Sequence, residues 1–458
     1  MKLFYAVFHL LWGDWIPLPL PGGHTLGLSP LVIILLAVGL YLTFRTRFLF
    51  LRQFPDMLRI TKEKKVGKDA NSITGLQSLI VSTATRVGMG NLVGVVAAIS
   101  AGGAGAVFWM WVTALLGTST AFVEGTLAQI HKQKDPLYGG YRGGPTRYIH
   151  DFFCKNKQKK RSVIAVLFAL SGLLCWCGIS QVIGNSVSSS MQNAFHIPPL
   201  WTAIALVAVC AVIVLRKNAT VKVLDIVVPI MAGCFFLVTI VIIVMNAHLL
   251  PSVFKRIFAE AFGLRQVVAG GFGAVVMNGI KRGLFSNEAG SGSAPCAAAA
   301  ADIDLPAKQG LLESFGVFID TMLICTCSAM IMLLAPTDVV GGLEGMDLLQ
   351  AAMNYHLGTF GVVFIAVTLL LFSFSTFIGI LFYARSNIAY VFGDNWWSQT
   401  AYKVLCLVML AVGCLAAYAF VWDLGDFGIA LMTIFNMMAL IPLSGEAIKA
   451  LKEYEHSK

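Results

Sequence analysis

Apolar residues fall in eleven runs, near 28–44, 74–100, 103–130, 162–193, 198–215, 221–246, 264–283, 311–335, 358–384, 403–421 and 427–443. Short polar stretches rich in Lys and Arg separate them. Each run is long enough to cross or nearly cross a bilayer, which takes roughly 20 residues of helix. The pattern predicts an all-α polytopic membrane protein. Two runs are interrupted. Residues Ser82 to Ser100 place Gly88, Gly90 and Asn91 where a spanning helix needs its best helix formers, with Arg86 beside them. The run at 264–283 carries Gly270-Gly271-Phe272-Gly273, then Met277-Asn278-Gly279 and Arg282-Gly283. In lipid every backbone N–H and C=O needs a partner, so a break is tolerated only where it is buried in protein or lines a cavity. Gly-interrupted spans point to the binding site of a secondary transporter.

Composition agrees with the pattern. Of 458 residues, 57% are hydrophobic and 12% charged, and mean hydropathy is +0.79; a soluble chain carries about 25% charge. The net charge of +10 does not indicate nucleic acid, because the cations sit in short loops between spans. Runs such as Lys62-Glu63-Lys64-Lys65 and Lys155 to Arg161 read as solvated loops facing an anionic leaflet. With the N-terminus outside, the outer stretches hold only Lys2, Lys255, Arg256 and Arg265, Arg86 lies within a span, and every other Lys or Arg falls inside. That asymmetry supports eleven spans, N-out and C-in. Eleven divides into an extra helix with a basic loop (1–73), five helices (74–246), five of opposite orientation (247–443) and a cytoplasmic tail (444–458). Each five-helix unit would open with a broken helix. The N-terminus shows no signal-peptide pattern. The cysteines read as small buried hydrophobes.

A break at Val87–Asn91 would expose amide N–H groups suited to a carboxylate and carbonyls suited to a small cation. Gly88 and Gly90 permit close approach, and Asn91 offers a side-chain oxygen. A simple kink at a small-residue packing face is the alternative. In the run at 358–384, Ser375 and Thr376 stand one turn beyond Phe372. The Phe372 carbonyl and the two hydroxyls could face the Ala84 and Val87 carbonyls around a cation, or the hydroxyls could simply bond back to the preceding turn. Arg86, Glu124 and Asp320 are ionisable residues inside apolar sequence and so are candidates for gating or charge balance. The Gly/Ser-rich stretch from Arg282 to Pro295 reads as an inner loop, with Arg282 and Glu288 as possible latch members of a cytoplasmic gate or as part of a plain connector.

Val87-Gly88-Met89-Gly90-Asn91, the stretch Gly102 to Trp111, Gly143-Gly144-Pro145, Arg282 to Gly290 and Phe318-Ile319-Asp320-Thr321 together resemble the signature stretches of the alanine/glycine:cation symporter family. The likeness runs from about residue 70 to the C-terminal helix. It implies a LeuT-type 5+5 inverted repeat with one added N-terminal helix. It also implies sodium-coupled uptake of small neutral amino acids across a prokaryotic plasma membrane. A sodium site from Ala84, Val87, Phe372, Ser375 and Thr376 follows from the same resemblance. Family members often carry a Gln two residues before the Asn-Ser of Asn185-Ser186; here Ile183 stands there and Gln181 lies two positions earlier.

The resulting expectation is a symporter that needs no cofactor beyond Na+ as coupling ion and no obligate protein partner. Its substrate, alanine or glycine, would contact Gly88, Gly90, Asn91, Gln181, Phe272, Gly273 and Val276. A larger neutral amino acid such as glutamine, or proton coupling through Asp320 or Glu124, is the alternative. A channel would require pore-lining rings of charge or carbonyls, and a membrane enzyme a metal cluster, nucleophile or nucleotide loop; none is evident.

Overall fold

The structure, a computed structural model, describes residues 2–13, 15–19, 25–63, 73–154, 161–215, 220–263 and 271–458. Of the sequence features singled out above, Lys64, Lys65, Lys155 to Lys160, Arg265, Gly270 and the start of the run at 264–283 lie outside these residues.

The helices, in order, are α1 (Lys2–Trp12), α2 (Pro30–Arg45), α3 (Leu49–Ile60), α4 (Gly75–Thr85), α5 (Val95–Gly102), α6 (Gly105–Ile130), α7 (Pro145–Cys154), α8 (Val163–Phe195), α9 (Pro199–Val214), α10 (Thr220–Met245), α11 (Leu250–Ala261), α12 (Gly271–Asn287), α13 (Pro295–Ala298), α14 (Pro306–Val317), α15 (Thr326–Leu333), α16 (Thr337–Val340), α17 (Gly345–Phe392), α18 (Trp396–Leu415) and α19 (Tyr418–His456). Two wide, π-wound stretches, Arg86–Gly94 and Phe318–Cys325, join α4 to α5 and α14 to α15. Two small antiparallel hairpins are present: β1 (Ile16–Pro19) with β2 (Thr25–Leu28), and β3 (Gln133–Lys134) with β4 (Tyr141–Arg142).

Each of the eleven apolar runs is mostly helical where described, the run at 403–421 being divided between α18 and α19 at Ala416–Ala417. Among the described residues, seven helices are long and apolar enough to cross a membrane. The pair α2 and α3, bent by 74°, passes as an eighth if it is one span. Local chemistry marks the ends. Ser29 caps α2 by accepting from Val32 N, with Pro30 at the first turn. Ser162 caps α8 and Asn395 caps α18 in the same way. Within α17 the backbone turns at Gly358 (φ 61°, ψ −152°), a conformation that a side chain would strain.

The helices form two groups. In one, α6 packs against α12 and α14; in the other, α8 runs between α17, α18 and α19. Lipid tails are as apolar as the helix faces, so packing here depends on close van der Waals contact and polar bonds. Small residues supply that closeness. A Cβ on Gly178 would lie 2.3 Å from Gly425 N, and one on Gly184 would lie 2.1 Å from Leu410 O. Helix α19 continues well past residue 444, and its end interlocks with α3: Gln53 Nε2 donates to Glu455 (2.8 Å) and Arg59 to Tyr454 Oη (3.2 Å).

Candidate functional site

Glycine and asparagine in the first core helix do not open a gap. They sit in the π-wound stretch, where wide turns loosen the usual ladder. Partners from other helices take up the loosened groups. Met89 N donates to Thr376 Oγ1 of α17 (3.2 Å). A Cβ on Gly88 would lie 2.0 Å from the same oxygen and 3.4 Å from the Phe372 carbonyl. The structure therefore brings Gly88, Phe372 and Thr376 together. Ser375 Oγ donates back to Phe372 O (2.8 Å). Ala84 is the last but one residue of α4, and Val87 is the second residue of the π stretch.

On its other side the π stretch meets α12 and the second π stretch. A Cβ on Gly90 or Gly94 would touch the Phe285 ring at 3.9 and 3.7 Å. Asn91 Nδ2 donates to Asp320 O (3.2 Å). Ser286 Oγ lies 2.9 Å from Asp320 Oδ2 and 3.3 Å from Asn91 Oδ1, and Thr321 Oγ1 donates to Asp320 Oδ2 (2.8 Å). Asp320 is fully buried, and its Oδ1 accepts no hydrogen bond among the described residues. Two wide helical turns thus face each other across one carboxylate and one amide. Single π turns are frequent at functional sites.

Arg86 lies at the start of the first π stretch and is buried. Its Nη1 pairs with Glu313 Oε2 of α14 at 3.0 Å, while Nε and Nη2 donate to nothing among the described residues. Glu288 and Asp320 also lie within its electrostatic reach. Glu288 does not meet Arg282: its Oε2 accepts from Tyr383 Oη (3.4 Å). Arg282 instead makes a two-pronged pair with Asp426 of α19 (3.1 and 2.9 Å) and stacks 4.0 Å from the Trp422 ring. Lys281 adds a second cation to Asp426 at 2.8 Å. The two latch candidates belong to separate clusters.

The second interrupted helix breaks later than its glycine-rich start suggests. Helix α12 is unbroken from Gly271 to Asn287. The chain then leaves helix until Pro295, with positive φ at Glu288, Gly290 and Gly292. All of these residues are buried, so this stretch is interior backbone rather than a solvated connector. Its polar groups are matched from other helices. Gly290 N donates to Glu124 Oε2 (3.0 Å), and Asn436 Nδ2 donates to Gly290 O (3.0 Å) and to Glu124 Oε1 (2.6 Å). Glu124 is thus a backbone partner at the break. Phe272 lies far from the break, against Gly263. Gly273 and Val276 share that early part of α12, three to four turns from Ser286. The structure does not join these three to Asn91. Gln181 packs on α18, its Nε2 3.3 Å from Met409 Sδ, and Ile183 is buried. Residues that sequence reasoning passed over are Phe285, Ser286, Glu313, Tyr383, Trp422 and Asp426. The density of Gly and Asn from 287 to 292 was the available signal for the second break.

Interrupted helices buried inside a two-group helical bundle are the arrangement in which secondary transporters build their binding sites. Among solved structures, the transporter MhsT, in complex with L-phenylalanine, matches with a TM-score of 0.56 at 13% identity, over 83% of this chain and 89% of that one. The family model of the sodium:alanine symporter family matches residues 23–458, and the chain belongs to that family, which is one of transporters and not of enzymes. Curated relatives include the probable sodium/glutamine symporter GlnT of Bacillus subtilis, 39% identical over 93% of this chain and 88% of that protein. The sodium/alanine symporter AgcS of Methanococcus maripaludis is 32% identical over 93% of this chain and 94% of that protein.

Proposed function

We propose that the protein is a sodium-coupled symporter that imports small neutral amino acids such as alanine and glycine. It would work by alternating access, with eleven spans, N-out and C-in, in a prokaryotic plasma membrane. The observation that carries this reading is the seating of Thr376 and the Phe372 carbonyl on Gly88. Hard oxygen donors there converge on a helix interruption, the chemistry a small cation needs. A second observation favours cation coupling. One buried guanidinium, Arg86, pairs with Glu313 and has Glu288 and Asp320 within electrostatic reach, so three carboxyl groups share one cation and would leave negative charge for cations or protons to balance. The amino acid's carboxylate would sit against the backbone of Gly88–Asn91. The Phe285 ring against Gly90 and Gly94 would bound the space for its side chain. Arg282, Lys281 and Asp426, with Trp422 over Arg282, would close one end of the path; Arg86–Glu313 and Glu288–Tyr383 would close the other.

Glutamine is the second reading, favoured by the 39% identity to a protein named as a probable sodium/glutamine symporter. Uptake of radiolabelled alanine, glycine and glutamine into proteoliposomes, with and without an inward sodium gradient, tests both. Concentrative uptake that ignores sodium and follows a proton gradient would overturn the sodium reading. The ranking of the three substrates decides the rest.

A further inference from the structure

A cleft of about 320 Å3 lies where β3, β4, α7 and the start of α8 meet the end of α17. Its walls include Gln133, Arg142, Arg147, Arg161, Ser386 and Tyr390. It shares no residue with the transport site described above.

The three arginines are not equally neutralised. Arg142 is held by Asp394 at 2.8 Å and by Asp135 at 3.7 Å. Arg161 spends one nitrogen on a neutral acceptor, the Val391 carbonyl (2.9 Å). Arg147 makes no ion pair within 4 Å among the described residues, and its Nε is buried with nothing to donate to. Asp151, on the same helix, is engaged by His131 at 2.8 Å. Tyr390 is also committed, since its hydroxyl accepts from Ser162 N (2.9 Å) and bonds to His150 Nδ1 (2.8 Å). Two guanidiniums, the Ser386 hydroxyl and the Gln133 amide are thus left as donors around an empty volume. A buried N–H without an acceptor costs about 1–3 kcal/mol, so an oxygen-rich anion completes this cleft. Planar guanidinium forks suit phosphate, which can accept from several at once.

We propose that this cleft binds a phosphate group. A phospholipid headgroup and a free phosphate share that chemistry. Beside Arg161, the exposed apolar side chains of Val163 and Leu167 run down α8 where acyl chains would lie. Basic pockets between membrane helices hold anionic headgroups in this manner. An occupant would join the β3–β4 hairpin and α7 to the end of α17.

The test uses the full-length protein, purified in detergent and stripped of lipid, and it reads binding rather than transport. Its result is therefore independent of the symport reading. Thermal unfolding is followed while titrating inorganic phosphate against chloride of equal ionic strength. Separately, phosphatidylglycerol is titrated against phosphatidylcholine. The proposal expects saturable stabilisation by phosphate or phosphatidylglycerol and none by chloride or phosphatidylcholine. Half-saturation should shift roughly tenfold or more in Arg147→Gln and Arg161→Gln. A response to phosphate assigns a soluble ligand, and a response to phosphatidylglycerol alone assigns the headgroup. No response to either probe overturns the proposal, as does an unchanged half-saturation in the variants. Arg161 is exposed, so Arg161→Gln decides the matter should Arg147→Gln fail to fold.

Discussion

Gly88→Ala puts a methyl where Thr376 Oγ1 already is. The ideal Cβ lies 2.0 Å from that oxygen, with the next atoms, Phe372 O and Thr376 Cβ, at an ordinary 3.4 Å. The clash is therefore with one hydroxyl. Thr376 is β-branched and on a helix, so its χ1 is stiff. Moving the hydroxyl costs about 0.5–1.5 kcal/mol in rotamer strain. It also leaves Met89 N–H, now bonded at 3.2 Å, without its acceptor, at about 1–3 kcal/mol. Alanine recovers up to about 1 kcal/mol over glycine in a helix. The net loss is about 0.5–3.5 kcal/mol.

Thr376→Ala alone also orphans the Met89 amide and should cost a similar amount. In the double variant the methyl meets no oxygen, so its cost should not exceed that of Thr376→Ala. The two changes should be non-additive by at least the cost of Gly88→Ala alone, about 2 kcal/mol at the middle of its range. Denaturant unfolding of the four purified proteins, in detergent with sodium present, measures the cycle. Sodium dependence of uptake gives the functional arm: Thr376→Ser keeps the oxygen and should keep sodium affinity, whereas Thr376→Ala should weaken it. Additivity within about 0.5 kcal/mol would refute the claim that Gly88 is a glycine because Thr376 occupies its side-chain space.

Glu313→Gln removes the partner of a fully buried guanidinium (3.0 Å). It should destabilise by about 3–5 kcal/mol, read as a lowered unfolding midpoint and poor membrane yield; a near-neutral result would mean that Arg86 is balanced elsewhere. Phe285→Ala, which removes the ring against Gly90 and Gly94, should raise uptake of glutamine relative to alanine, and an unchanged substrate ratio would place the side-chain pocket elsewhere. Outside the spans, burial lowers the pKa of His131, but bonds to Asp151 (2.8 Å) and Glu446 (3.1 Å) outweigh it and leave the pKa raised. Its stabilising share is complete below the unfolded value near 6.5 and is lost as pH rises through the folded value. The pKa of Asp151 is lowered on balance, so its share fails only on strong acidification. Unfolding midpoints measured from pH 6 upward should therefore fall more in the parent than in His131→Gln; parallel curves would show that the contact carries no proton.

The helical segments were legible because apolar run length is a local property. What partners a loosened amide is not local, and that difference separates the readings that the structure supports from those it moves. Gly88, Gly90 and Asn91 announced an interruption, but only residues about 200 to 290 positions away, Ser286, Asp320 and Thr376, decide that it takes the form of wide hydrogen-bonded turns. The second interruption was read from glycine density at 270–283. In the structure Gly271 begins α12, and Gly279 and Gly283 pack closely on α6, Gly279 on the Ala106 carbonyl. Gly290 and Gly292 mark the true break through positive φ. Their polar surroundings read as an inner loop because nothing in the local sequence shows Glu124 and Asn436 arriving to satisfy them. Arg282 and Glu288 do not pair with each other for the same reason, since the end of α12 falls between them and sends them to different partners.

These partners connect the two interruptions through charge. Asp320 in the second π stretch is bonded to Ser286 at the end of α12, and Ser286 also faces Asn91 in the first π stretch. Two residues past Ser286, Glu288 opens the break and bonds Tyr383 of α17, the helix that also supplies Thr376. A cation at the proposed Gly88–Thr376 site and a charge at Asp320 would therefore act on opposite sides of one loosened helical turn. The first π stretch touches both α17, which packs with α8 in one group, and α12, which packs with α6 in the other; if the groups move against each other and the π stretch follows α12, Thr376 would leave Met89. Sodium bound between Gly88 and Thr376 would oppose that separation, so its affinity must differ between the two states, the condition for coupling an ion gradient to a conformational change.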